Sequence, residues 1–192
     1  GTISLPVHRR AVYGPCVRLT VEGLRGGHSG VDIHKNRANA NKVMGELLSR
    51  VQKLMPLCIT KMSGGSKDNV ITHSCQVTLV AMGMYPEKIN DVAQQLEDEI
   101  RQQYDEPNVK IYGDDVDALG GNALTTEDTA KVIALLCAAP NGVQAWSQDI
   151  EGLVQTSLNL GVVRLDEKLN MTFAVRSSVN QEKRDLLAKL RE

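Results

Sequence analysis

The sequence predicts an α/β fold of the α+β kind, in which two related ferredoxin-like halves form an antiparallel sheet with helices packed on one face. Two features carry that prediction. Apolar residues switch between a spacing of two and a helical spacing in the order β-α-β-β-α-β over residues 1–112. After an acidic, glycine-rich linker at 113–125, the order α-β-β-α follows over residues 126–192 and repeats the middle of the first half.

Each element has its own signal. Val17, Leu19 and Val21 alternate with Arg18, Thr20 and Glu22, which predicts a half-buried strand. Beyond a glycine-rich turn, Val43, Met44, Leu47, Leu48, Val51 and Leu54 line one face of a helix that Pro56 ends. Leu57 to Met62 reads as a short strand entering a Gly64-Gly65 turn, and Cys75, Val77, Leu79 and Ala81 alternate as a longer strand. Pro86 suits a first helical turn, where its missing N–H has no partner to lose, and Ile89, Val92, Ala93, Leu96 and Ile100 form the apolar stripe that follows. Asn108 to Tyr112 closes the first half as a strand.

In the second half, Thr125 and Asp128 resemble a capping box that opens a helix carrying Val132, Ile133, Leu135 and Leu136, and Pro140-Asn141-Gly142 stops it. Leu158, Leu160 and Val162, then Leu169, Met171, Phe173 and Val175, alternate around an Asp166-Glu167-Lys168 turn as a hairpin. Asn180 is placed to cap a last helix with Leu186, Leu187 and Leu190. One more strand after residue 192 would complete the repeat, so the second half is expected to be truncated and the chain to belong to a larger protein.

Composition narrows the function. The 192 residues, 42% of them hydrophobic, suffice for a real core. A net charge of -1 gives no general attraction to nucleic acid or anionic membrane, and 3% aromatics leave few platforms for stacking bases. No apolar run reaches the length of a bilayer span. Neither a nucleic-acid nor a membrane partner is expected. Cys16, Cys58, Cys75 and Cys137 show no close pairing and no zinc-ribbon spacing, which predicts reduced, buried thiols and a cytoplasmic protein.

Three residues stand out as candidates. His28 sits among glycines in GLRGGHSGVDIHKNRANANK (23–42), on a turn where the backbone can approach a ligand closely and the imidazole can donate to a developing oxyanion. Asn69, in GGSKDNVI (64–71), carries an amide that can cap a turn or meet a peptide group. Arg176 falls in phase with Asn170 and Thr172 on the polar face of its strand, where a guanidinium either stays solvated or grips a carboxylate through two parallel hydrogen bonds. His28, Asp32 and His34 lie close enough in sequence to raise a metal site, but neither HExxH nor CxxC accompanies them. No metal ligand is assigned.

These stretches, followed by APNGV (139–143), TSLNLGVV (156–163) and VRSSV (175–179), occur in an order that resembles the inserted lid domain of the aminoacyl-histidine dipeptidases. This family, also known as Xaa-His or cytosol nonspecific dipeptidases, belongs to the dinuclear-zinc exopeptidases. The resemblance covers about residues 10–190. It implies a lid that helps hydrolyse Xaa-His and other dipeptides, with His28 as the catalytic residue reaching the scissile carbonyl. Asn69 would help hold the substrate, and Arg176 would bind its free carboxylate. Thr72 stands where the family pattern usually has proline. Two zinc ions and a glutamate base are implied in a separate catalytic domain, because this chain has no HxD motif and no Glu-Glu pair leading into glycine. The implied partners are a dipeptide, the catalytic domain of the same polypeptide and a second copy in a homodimer. Alone, the chain is then expected to be inactive. The contrasting expectation is a stand-alone ferredoxin-like module for small-molecule binding, regulation or dimerisation, since fold does not fix function.

Overall fold

A computed structural model describes residues 1–83 and 86–191. The elements in order are β1 (Thr2–Pro6), β2 (Arg9–Val12), β3 (Cys16–Glu22), β4 (Gly27–His28), α1 (Ala40–Leu54), β5 (Leu57–Gly64), β6 (Val70–Ile71), β7 (Cys75–Ala81), α2 (Pro86–Tyr104), β8 (Lys110–Val116), β9 (Gly121–Leu124), α3 (Thr126–Ala138), β10 (Gly142–Trp146), β11 (Val154–Leu165), β12 (Lys168–Ser177) and α4 (Asn180–Lys189).

One antiparallel sheet runs through both halves in the order β1-β12-β11-β5-β7-β3-β8, with β10 paired to the leading part of β11. The first half contributes β5-β7-β3-β8, joined by α1 and α2, which is the ferredoxin-like arrangement the alternation predicted. Helical and strand periodicities agree on one buried layer. Val17, Leu19 and Val21 from β3 meet Val43, Met44, Leu47, Leu48 and Val51 from α1, and Val132, Ile133, Leu136, Phe173 and Leu186 from the second half complete the same cluster. On the opposite face, the small β2–β9 sheet covers a separate patch of Val12, Cys16, Cys58, Val80 and Ala123.

The second half is built on the same plan. Its hairpin β11–β12 is extended by β1, whose Thr2–Pro6 pair with Lys168–Thr172. The order β1-β12-β11 therefore mirrors β3-β7-β5, and the two equivalent strands β5 and β11 meet antiparallel at the centre. By pairing, β1 belongs with the second half, although it opens the 1–112 segment. The 113–125 segment also has more structure than a linker. Gly113–Val116 continue β8 along β3, and Gly121–Leu124 form β9. Acidic residues are tolerated there because β8 is a sheet edge, where charge blunts unwanted strand addition.

Other departures have local causes. Thr125 accepts from the Asp128 N–H at 3.1 Å as a cap should. The Asp128 carboxylate, however, turns to His8, accepting from its backbone N–H at 2.6 Å. Asn180 is the first helical residue of α4 rather than its cap; Val179 precedes it with no side-chain bond, and Ser177 Oγ accepts the Val179 N–H at 3.0 Å instead. Cys16, Cys58 and Cys75 are buried, whereas Cys137 is exposed at the end of α3. No helix among the described residues is long and apolar enough to cross a membrane.

Candidate functional site

His28 lies on β4, which pairs with β6 so that His28 faces Val70. The turn around it is tightly specified. Gly27 has φ +126, and a Cβ there would come within 2.7 Å of Asp32 Oδ2. That carboxylate accepts the His28 N–H at 2.9 Å and the Lys35 ammonium at 2.8 Å. The Lys35 hydrogen bond, then the His28 N–H, hold the Asp32 carboxyl below the usual carboxylate range. Both ends of the loop are tied to one buried carboxylate, since Glu106 accepts the Arg25 N–H at 2.9 Å and the Ala38 N–H at 3.3 Å. Sequence reading had no signal for Glu106.

The imidazole itself is oriented. The Gly30 N–H donates to His28 Nδ1 at 3.1 Å, so in the neutral ring Nδ1 is the acceptor and Nε2 carries the proton. His28 is exposed, and its Nε2 has no partner among the described residues.

Asn69 is next to this turn. Its carbonyl accepts the Ser29 N–H at 2.9 Å, while its side-chain amide has no hydrogen bond among the described residues. Arg176 reaches the same place from β12, opposite Ser157 of β11. Its guanidinium is exposed and also unpaired among the described residues. The meeting point is Gly30. A Cβ there would lie 2.9 Å from Arg176 Cζ and 3.0 Å from His28 Cε1, so the imidazole and guanidinium flank a position that only glycine leaves open. Two polar groups with unused donors thus converge from the two halves, with the Asn69 backbone bonded to the same turn.

His28, Asp32 and His34 do not converge as metal ligands, and among the described residues no three His, Cys, Asp or Glu side chains do. Asp32 is occupied by Lys35 and the His28 backbone.

What sequence reading missed is the framework under the site. β11 shifts register against β12 at Leu160 to Val162, and on its other side, between its pairing with β10 and its pairing with β5, its backbone groups have no strand partner. Buried side chains satisfy them. Asn141 Oδ1 accepts the Leu160 N–H at 2.9 Å; Asn39 Nδ2 and Asn41 Nδ2 donate to the Leu160 carbonyl at 3.0 and 3.1 Å. Thr72, the departure from the family's proline, donates its hydroxyl to the Gly161 carbonyl at 2.9 Å. The only available signal was the recurrence of Asn in RANANK, APNGV and TSLNLGVV.

Comparison with known proteins places the whole chain. Residues 19–108 match the family model described as the peptidase dimerisation domain. The cytosol non-specific dipeptidase of Escherichia coli (strain K12) is 31% identical over 189 residues, covering 95% of this chain and 38% of its own length. The crystal structure of aminoacylhistidine dipeptidase from Vibrio alginolyticus superposes with a TM-score of 0.93 at 29% identity, over 99% of this chain and 40% of the other. The chain therefore spans about two-fifths of the length of these relatives. With family model, relative and solved structure in agreement, this chain is a dimerisation domain of the dipeptidase family that these proteins represent.

Proposed function

We propose that the chain acts as the lid of a cytoplasmic zinc-dependent dipeptidase that hydrolyses Xaa-His and other dipeptides. In this reading His28 contacts the scissile carbonyl, Asn69 holds the peptide group, and Arg176 binds the free carboxylate. The observation that carries the reading is the convergence on Gly30 of an imidazole and a guanidinium from different halves, both with unpaired donors. Nε2–H is the proton an oxyanion would accept as a hydrogen bond, and a preorganised donor of this kind contributes about 3 kcal/mol to transition-state stabilisation. A guanidinium fork suits a terminal carboxylate, and its place beside the imidazole favours short peptides.

The two zinc ions, when bound in the separate catalytic domain, supply the activated water. Among the described residues no His, Cys, Asp and Glu side chains gather into such a centre, so no metal step is assigned to them. What the lid contributes is closure, exclusion of water and the last three contacts to the substrate. A homodimer built through related lids is part of the same reading.

The test uses the complete dipeptidase polypeptide that carries this chain. His28→Ala is expected to lower kcat by about a hundredfold or more, and Arg176→Ala to raise KM for substrates with a free C-terminus. The 192-residue chain alone is expected neither to hydrolyse dipeptides nor to bind zinc stoichiometrically. An unchanged kcat in the histidine variant would remove His28 from the mechanism. Micromolar binding of free amino acids to the isolated chain by calorimetry would favour the sensor instead.

A further inference from the structure

The seam between the halves points to a further residue for this chemistry. Asn159 lies in the middle of β11, buried to 1% exposure, opposite Ala174 and two residues short of Arg176 along β12. Its amide nitrogen donates to the Asp68 carbonyl at 2.7 Å and to the Val70 carbonyl at 2.8 Å. Those two carbonyls flank Asn69. Its Oδ1 receives Asn39 Nδ2 at 3.4 Å, so the side chain is held in turn by the buried network. Beside it, Gly161 lets the loop press against the strand, since a Cβ there would fall 2.5 Å from the Asp68 carbonyl oxygen.

From this amide a continuous set of bonds reaches the imidazole. Asn159 clamps the backbone on either side of Asn69; the Asn69 carbonyl takes the Ser29 N–H at 2.9 Å; and the next amide, that of Gly30, fixes His28 Nδ1 at 3.1 Å. The backbone of the same Asn159 belongs to the ladder that carries Arg176. We propose that Asn159 is a positioning residue. It registers the turn bearing His28 and Asn69 against the strand bearing Arg176, and so fixes the spacing between the carbonyl contact and the carboxylate contact. The side chain must be an amide. Both N–H groups are needed for two carbonyls, and a carboxylate of the same shape would set an acceptor against two acceptors.

The inference rests on the lid reading above, and the experiment separates the two. In the complete dipeptidase polypeptide, Asn159→Ala, His28→Ala and the double variant form a cycle. Asn159→Ala is expected to lower kcat by about tenfold, the order of effect of a lost buried hydrogen-bond clamp, and to have less than about twofold effect once His28 is already alanine. A loss of equal size in both backgrounds, or no loss, would overturn the positioning role. If His28→Ala alone leaves kcat unchanged, the lid chemistry fails, and a second readout still decides the coupling. The nitrogen chemical shifts of His28 in the 192-residue chain report its tautomer. They are expected to show Nε2–H in the unsubstituted chain and a tautomer mixture in Asn159→Ala. An unchanged tautomer would overturn the proposal. Asn159→Ser keeps one donor and gives the same readouts at intermediate size should the alanine variant not fold.

Discussion

The two halves share one plan but hold their functional groups differently. In the first half His28 and Asn69 sit on turns, fastened by a carboxylate, two glycine-dependent contacts and the two-residue pairing of β4 with β6. In the second half Arg176 sits on a ten-residue strand, beyond the stretch that β1 covers, and pairs with Ser157 of β11. On the proposed reading, a strand holds the root of the carboxylate-binding arginine, while the bonds from Asp32 and Gly30 fix the turn and imidazole that would face the carbonyl. The difference teaches that the precision of the pair depends on the seam, because neither half alone sets the distance between them.

Breaking the seam gives the largest expected effect. Asn141→Ala would leave the buried Leu160 N–H without its acceptor and remove one partner of Asn39 Nδ2. Each unsatisfied buried group costs about 1–3 kcal/mol, so a loss of about 3 kcal/mol and a thermal midpoint lower by about 10 °C are expected. Replacing an exposed residue within one half, such as Gln181 in α4, should leave the midpoint within about 2 °C. If both variants unfold at the same temperature, the halves hold together through the apolar core alone.

A smaller effect is expected at the meeting point. Gly30→Ala places a methyl 2.9 Å from Arg176 Cζ and 3.0 Å from His28 Cε1. The fold should survive, since the obstructed atoms end flexible side chains. The guanidinium, anchored at the strand, swings aside most easily, so KM for dipeptides should rise about fivefold, a part of the value of one charge-assisted bond. Steady-state kinetics on the complete polypeptide would show it. A fall in kcat at constant KM would mean that the turn yields instead of the arginine.

Much of this was legible in the sequence, for physical reasons. Helices α1, α2 and α3 and strand β12 each bury one face, and β3, β5, β7 and β11 alternate over part of their length before both faces are covered, so a periodicity appeared in the residues. Strands β4 and β6 are two residues long and leave no period to read. β1 and β10 are largely exposed or half-buried, so apolar alternation is weak there. His28 and Arg176 could be nominated by glycine context and by strand phase. Their meeting at Gly30 could not, because it depends on β5 pairing with β11 across a hundred residues. The asparagines were visible as letters, but which carbonyls the β11 irregularity leaves open is decided only by the assembled sheet.

The smallest expected effect separates the two kinds of support by pH. Asp32 is held below the ordinary aspartate range of about 4, first by Lys35 and then by the His28 N–H, with Arg37 nearby. A carboxyl whose folded pKa is depressed stabilises the fold fully above its ordinary value, and this contribution disappears as pH falls through the folded pKa. The His28 turn should therefore be equally protected at every pH above about 5 and loosen only in acid below about 4. The β11–β12 ladder between Leu160 and Phe173 rests on backbone pairing and should keep its protection through the same interval. Amide hydrogen exchange, corrected for the intrinsic pH dependence, reads both segments in one experiment. Parallel loss in the two segments would mean that acid opens the domain as a whole. Unchanged protection at His28 would assign the turn to its glycines and to the Ser29–Asn69 bond, with Asp32 serving only to pair the cations beside it.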